Sequence, residues 1–182
     1  GAATIVFQPG AKDGHFEAVP RLPEGVALAE GQRIDLVLYV PKDHAVTVRT
    51  LFGTIESRGL KSDIDLGTDT GEIAVRGTVQ ARTGDGRIEV SFEDGARPGS
   101  VQRLASRTGS IAINVSDKLD AEVKLSTSHQ FSTDYSLAVE HRDSEEPNKV
   151  ATAVVGTPKS GKDKAQVVLE SLVGEVRLLR KG

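Results

Sequence analysis

The chain has 182 residues, of which 37% are hydrophobic and only 4% aromatic, with 19 glycines and neither Cys nor Trp. A formal charge of −3 supplies no basic field for nucleic acid or an anionic membrane surface, and the lack of Cys excludes disulfides and thiolate metal sites. The length suits a single domain, residues 1–182, with one sizeable core filled by Ile, Val and Leu. Met is also missing, so Gly1 reads as a tag remnant, with any signal or anchor segment expected upstream and removed.

The first 44 residues stand apart from the rest of the chain. Ala3-Thr4-Ile5-Val6-Phe7 has strand composition, and Gln8 to Gly14 is turn-like. After Pro20, Pro23 and Gly25, the run Ile34-Asp35-Leu36-Val37-Leu38-Tyr39-Val40 is the strongest strand signal in the chain. Pro41-Lys42-Asp43 then forms a turn. This block is expected to be a β segment that caps the open end of the repeats, where apolar surface and strand edges need cover.

From Ala45 a pattern recurs: a Gly followed two residues later by a branched apolar residue. It occurs at Gly53/Ile55, Gly71/Ile73, Gly86/Ile88, Gly109/Ile111 and Gly174/Val176. Three residues before each Gly stands Thr50, Thr68, Thr83, Ser106 or Ser171, and mostly apolar residues lie five and seven before it, with Gln102/Leu104 the imperfect case. Alternation on both sides of the Gly is the period of strands with one buried face. The Gly supplies a corner, and the hydroxyl bonds its backbone. A repeat of roughly 20 residues matches one coil of a solenoid rather than a domain, and stacking would put Ile55, Ile73, Ile88 and Ile111 in one internal ladder.

Past Asn114 the pattern loosens. Ala121 to Thr127 keeps the phase, but Gln130 fills the Gly slot and Phe131 comes one position early. Val150 to Val155 is a strand that would serve a coil without a marker. The flanking runs, Arg142 to Lys149 and Thr157 to Lys164, are polar loops, giving a polar excursion at 141–164 within coils spanning 45–178.

The run Val37-Leu38-Tyr39-Val40-Pro41-Lys42, then Val46-Thr47-Val48-Arg49-Thr50 and the successive Thr/Ser-x-x-Gly-x-Ile units, resembles the putative adhesin family, also called the head-GIN or toastrack domain of bacterial envelope proteins. The similarity covers roughly residues 32–178. It implies an all-β fold: a right-handed parallel β-helix, or single-stranded β-solenoid, of about six or seven irregular coils, on exported or membrane-anchored proteins. The family supplies no catalytic residues to carry over.

Motifs with chemistry are few. Gly156-Thr157-Pro158-Lys159-Ser160-Gly161-Lys162-Asp163 approaches a phosphate-binding loop, but Asp163 replaces the magnesium-binding hydroxyl and an alternating strand pattern follows where a helix is needed. Asp63, Asp65, Asp69, Glu72, Asp85 and Glu89 recur near the corners without the tandem motif of calcium β-rolls, and read as a solvated face. His15, His44, His129 and His141 lack metal-ligand spacing, and no nucleophile elbow is present. No catalytic, cofactor or metal residues are therefore assigned. The expected role is a non-enzymatic extracytoplasmic module, in the periplasm or at the cell surface, serving as a rigid scaffold or adhesin-like surface. Its partner would be a protein or glycan of the envelope, with no nucleic acid and no membrane contact beyond a removed anchor. The alternative is a carbohydrate-active β-helix that binds or cleaves an acidic polysaccharide.

Overall fold

The computed structural model describes residues 4–9, 16–77 and 79–182, and the chain divides into two compact units, Gly1–Tyr39 and Val40–Gly182. In the first, β1 (Thr4–Pro9) and β2 (Phe16–Arg21) pair antiparallel, Thr4 opposite Arg21 and Pro9 opposite Phe16. Gln8 and Pro9, turn-like by composition, thus belong to a strand, because each has a partner across the hairpin; a proline is tolerated at a strand end. Ala3, the rest of the expected turn (10–14) and His15 lie outside the described residues.

The run Ile34–Val40 forms no strand. Its residues have the right propensity but no ladder partner, and β-propensity is realised only against cross-strand neighbours. Val37 and Tyr39 are 72% and 97% exposed.

The second unit contains β3 (Val46–Phe52), β4 (Ile55–Arg58), β5 (Ile64–Thr70), β6 (Ile73–Arg76), β7 (Gln80–Asp85), β8 (Ile88–Ser91), β9 (Val101–Ser106), β10 (Ile111–Val115), β11 (Ala121–Thr127), β12 (Phe131–Thr133), β13 (Ala138–His141), β14 (Lys149–Val155), β15 (Gln166–Ser171) and β16 (Val176–Arg180). Short 3-10 turns occupy Asp117–Leu119 and Gly161–Asp163, and no α-helix occurs among the described residues. The strands build an eight-stranded sheet, β13-β14-β11-β15-β9-β7-β5-β3, and a six-stranded sheet, β12-β16-β10-β8-β6-β4. Up to β12 the chain alternates between the sheets, each pair of strands forming a rung joined at a corner. β15 and β16 form a further rung.

Two features depart from simple succession. Val150–Val155 lies in β14, which runs antiparallel to β11 and to β13 rather than forming a parallel coil of its own. Only residues 142–148 separate β13 from β14, a span that suits a hairpin and is too short for a parallel crossover. The last rung is also out of order. β15 pairs in parallel with both β9 and β11, and β16 with both β10 and β12. The C-terminal rung therefore lies between the fourth and fifth rungs of the chain.

The core runs between the sheets. Ile64, Leu66, Leu104, Val123, Leu125 and Leu169 face it from one side, and Ile73, Ile88, Ile111, Ile113 and Leu178 from the other, all essentially without exposure. Stacked aliphatic side chains fill most of this space, with Phe92 buried among them and Phe131 and Tyr135 packed against them.

Candidate functional site

The recurring residues meet at the corners. In register, Ile55 lies beside Ile73, Ile73 beside Ile88, Ile88 beside Ile111, Ile111 beside Val176, and Val176 beside Phe131. The glycines form a second column. A Cβ at Gly71 would lie 2.1 Å from the Gly53 carbonyl oxygen, at Gly86 2.0 Å from that of Gly71, at Gly109 1.5 Å from that of Gly86, and at Gly174 2.1 Å from that of Gly109. Close approach of successive backbones, more than turn geometry alone, excludes any side chain there.

A third column is polar and buried. The hydroxyls of Thr68, Thr83, Ser106, Ser171 and Thr127 donate to the carbonyls of Gly53, Gly71, Gly86, Gly109 and Gly174, at 3.4, 3.2, 3.2, 2.8 and 2.7 Å. Ser106 and Ser171 also accept from the amides of Gly109 and Gly174, both at 2.9 Å. These bonds satisfy corner groups that would otherwise be buried unpaired. Gln102 breaks the aliphatic column of the larger sheet: its Oε1 accepts from the Val79 amide at 3.3 Å, while its buried Nε2 has no partner among the described residues. The marker residues therefore hold the rungs together and leave the chemistry to the outward faces.

Those faces are flat and charged, and most charges are matched. Arg49 pairs with Asp65 at 2.5 Å, Arg97 with Asp63 at 3.1 Å, Arg107 with Asp85 at 3.2 Å and Arg87 with Glu89 at 2.6 Å. The Thr108 hydroxyl, donating to Asp85 at 2.8 Å, and the Arg107 guanidinium hold that carboxyl below the usual aspartate range, against a smaller desolvation effect. Arg177 and Gln130 do the same to Glu175. No group of three or more His, Asp or Glu residues placed to hold a metal occurs among the described residues. Behind the Gly156–Asp163 loop stands strand β15, so the helix a phosphate loop requires is not there.

One place on the larger sheet differs. Across β3, β5, β7 and β9 the outward row reads Arg49, Gly67, Arg82, Ala105. The small residues leave a shallow depression of about 520 Å³ lined by Arg49, Leu51, Gly67, Asp69, Arg82 and Gly84. The Arg49 stem lies over Gly67, where a Cβ would sit 3.0 Å from its Cδ, and its guanidinium is anchored on the carbonyl and carboxylate of Asp65. Arg82 is exposed and has no ion pair or hydrogen bond among the described residues. Two strand spacings put the Arg49 and Arg82 backbones roughly 10 Å apart. The depression therefore presents one anchored guanidinium, Arg49, one unpaired guanidinium, Arg82, and the unpaired carboxylate of Asp69 on an open surface, an arrangement able to hold an extended chain through directed charge contacts. Sequence reasoning passed over Arg82. The signal available was its outward phase, shared with Arg49 and with Gly67 and Gly84, but the register that joins them appears only in the fold.

No family model matches the chain, and no curated protein matches it. Among solved structures it is similar to one described as a putative cell adhesion protein from Clostridium sporogenes ATCC 15579, with a TM-score of 0.52 and 13% identity, over 98% of this chain and 76% of that one. At that identity the likeness shows a shared all-β fold.

Proposed function

We propose that this protein is a non-enzymatic, adhesin-like binding module of the bacterial envelope, built as a short right-handed parallel β-helix and working outside the cytoplasm. It would present flat sheet faces to an acidic envelope glycan, with the Arg49–Arg82 depression as the contact. The observation that carries this reading is Arg82, an exposed guanidinium with no ion pair among the described residues, beside the glycines of a shallow depression whose other cation, Arg49, is paired with Asp65 and whose remaining carboxylate, Asp69, is unpaired. Guanidinium groups recognise carboxylate and sulfate with directed hydrogen bonds, and a linear polymer fits an open depression better than a small ligand does. The description of the structural neighbour as a putative cell adhesion protein, and the resemblance of the Thr/Ser-x-x-Gly-x-Ile units to the head-GIN or toastrack family, support the same role.

An array of acidic and neutral glycans, probed with the full chain and with Arg82→Ala, tests it. Retention of acidic glycans that weakens with salt and is lost with Arg82→Ala is expected. A lyase assay with and without calcium on the retained glycans separates binding from cleavage; turnover would turn the proposal into the polysaccharide-cleaving alternative.

A further inference from the structure

The out-of-order rung carries a consequence for how two copies of this chain can interact. β9 and β11 share no ladder; each is paired to β15. Likewise β10 and β12 meet only through β16. Without residues 166–180 the unit has a gap one rung wide, bounded on both sides by parallel strand edges. The gap is specific. It receives Val167, Leu169, Ser171, Val176 and Leu178, none of them exposed, and its Gly109 carbonyl accepts from Ser171. Its rims hold the rung by Lys164–Glu122 at 2.6 Å at one end and by Arg180 at the other, with Asp117 at 3.2 Å and the Asp134 carboxylate accepting from the Arg180 amide at 2.8 Å. The segment that fills it follows a polar, mostly exposed connection around 156–163 that spans up to about 25 Å when extended.

We propose that this gap is a docking site for a two-stranded donor, filled in the monomer by the chain's own residues 165–180 and, in a dimer, by the same segment of a second copy. The hydrogen bonds and apolar contacts of residues 165–180 are the same in the two arrangements, and only the connection, tied to the unit by Thr157 on Asp120 and by Gly99 on Asp163, differs, so the choice between them depends on concentration. The tether keeps the chain's own segment at high effective concentration and favours the monomer when dilute. Folding at high concentration favours exchange.

The chain has no cysteine, so a cross-link can report the donor. Ala105 and Glu170 are outward register partners on β9 and β15. The full chain carrying Ala105→Cys and Glu170→Cys, refolded dilute and oxidised, should give covalent monomers. Refolded concentrated, it should give covalent dimers, mixed when two labelled populations are combined. A second pair, Ala74→Cys and Glu89→Cys between β6 and β8, should give covalent monomers at both concentrations. Dimers from both pairs, or from neither, would overturn the proposal. Because the cysteine variants can misfold, the unaltered chain refolded across the same concentrations and sized by light scattering gives an independent reading. A dimer that survives dilution is expected, and monomer at every concentration overturns the proposal.

Discussion

At the scale of single residues, the corner glycine is the most demanding position. Its recurrence was plain in the sequence, and so was a turn. The carbonyl of the preceding rung, which leaves no room for a methyl group, was not, because it belongs to a residue 15 to 65 positions away. The two explanations predict different things. Gly109→Ala would place a Cβ 1.5 Å from the Gly86 oxygen and should cost about 3 kcal/mol, the upper range for overpacking. Gly53 begins the column with open space around it and a φ of +119°, so Gly53→Ala should cost only the strain of its backbone, about 1 kcal/mol. Chemical denaturation of the two variants measures the difference, and equal losses would return the glycine to a turn role alone.

Charge at the same scale gives a pH dependence with a definite sign. The Asp85 carboxyl is held below its ordinary value, first by the Thr108 hydroxyl and also by Arg107. A depressed carboxyl contributes stability above its unfolded pKa, and that contribution is lost as pH falls through the folded value. The loss therefore lies in the acid range, below the usual aspartate titration. An NMR titration should find the Asp85 midpoint below that of a free Asp, moving upward in Thr108→Ala. A midpoint unchanged by Thr108→Ala would remove the hydroxyl as the main cause.

At the scale of elements, inward and outward phases were legible because alternation is a local property. Ile88 is fully buried while Arg87, next to it, is exposed and paired with Glu89. Ile88→Ala should cost about 2–5 kcal/mol and Arg87→Ala less than about 1 kcal/mol, read from denaturant midpoints. Similar losses would mean that the facing is wrong.

What local pattern does not carry is the partner of a strand. Ile34–Val40 has the strongest strand composition and no ladder, while Val150–Val155 was visible as a strand but not as the antiparallel partner of β11. The polar stretches were easier to place: Arg142 to Asn148 turns between β13 and β14, and Thr157 to Lys164 precedes β15. Lys149 opens β14, where its ammonium is bound to the His129 carbonyl, so limited trypsin digestion should cut first at Arg142 and at Lys159 or Lys162. Early cuts within β5–β8 would show that the rungs are not the stable part of the chain.

At the scale of the whole molecule, the repeat announced stacked rungs but not their order. The Gly174-Glu175-Val176 unit matches the earlier markers as well as a neighbour of any rung would, and nothing local says that it belongs between Gly109 and Thr127. The hydroxyl column records the order once the fold is known: Ser171 bonds to Gly109 and Thr127 to Gly174. The binding surface was hidden for the same reason, since Arg49, Gly67 and Arg82 come together only across three strands.

The central claim is that this surface binds an acidic polymer without altering it. The most direct measurement titrates the full chain with acidic oligosaccharides of increasing length by calorimetry and analyses the recovered ligand by mass spectrometry. Affinity should grow with length and fall about tenfold or more in Arg82→Ala, the loss of one charge-assisted contact, with every ligand recovered intact. Affinity indifferent to Arg82, or ligand recovered as shortened fragments, would contradict it.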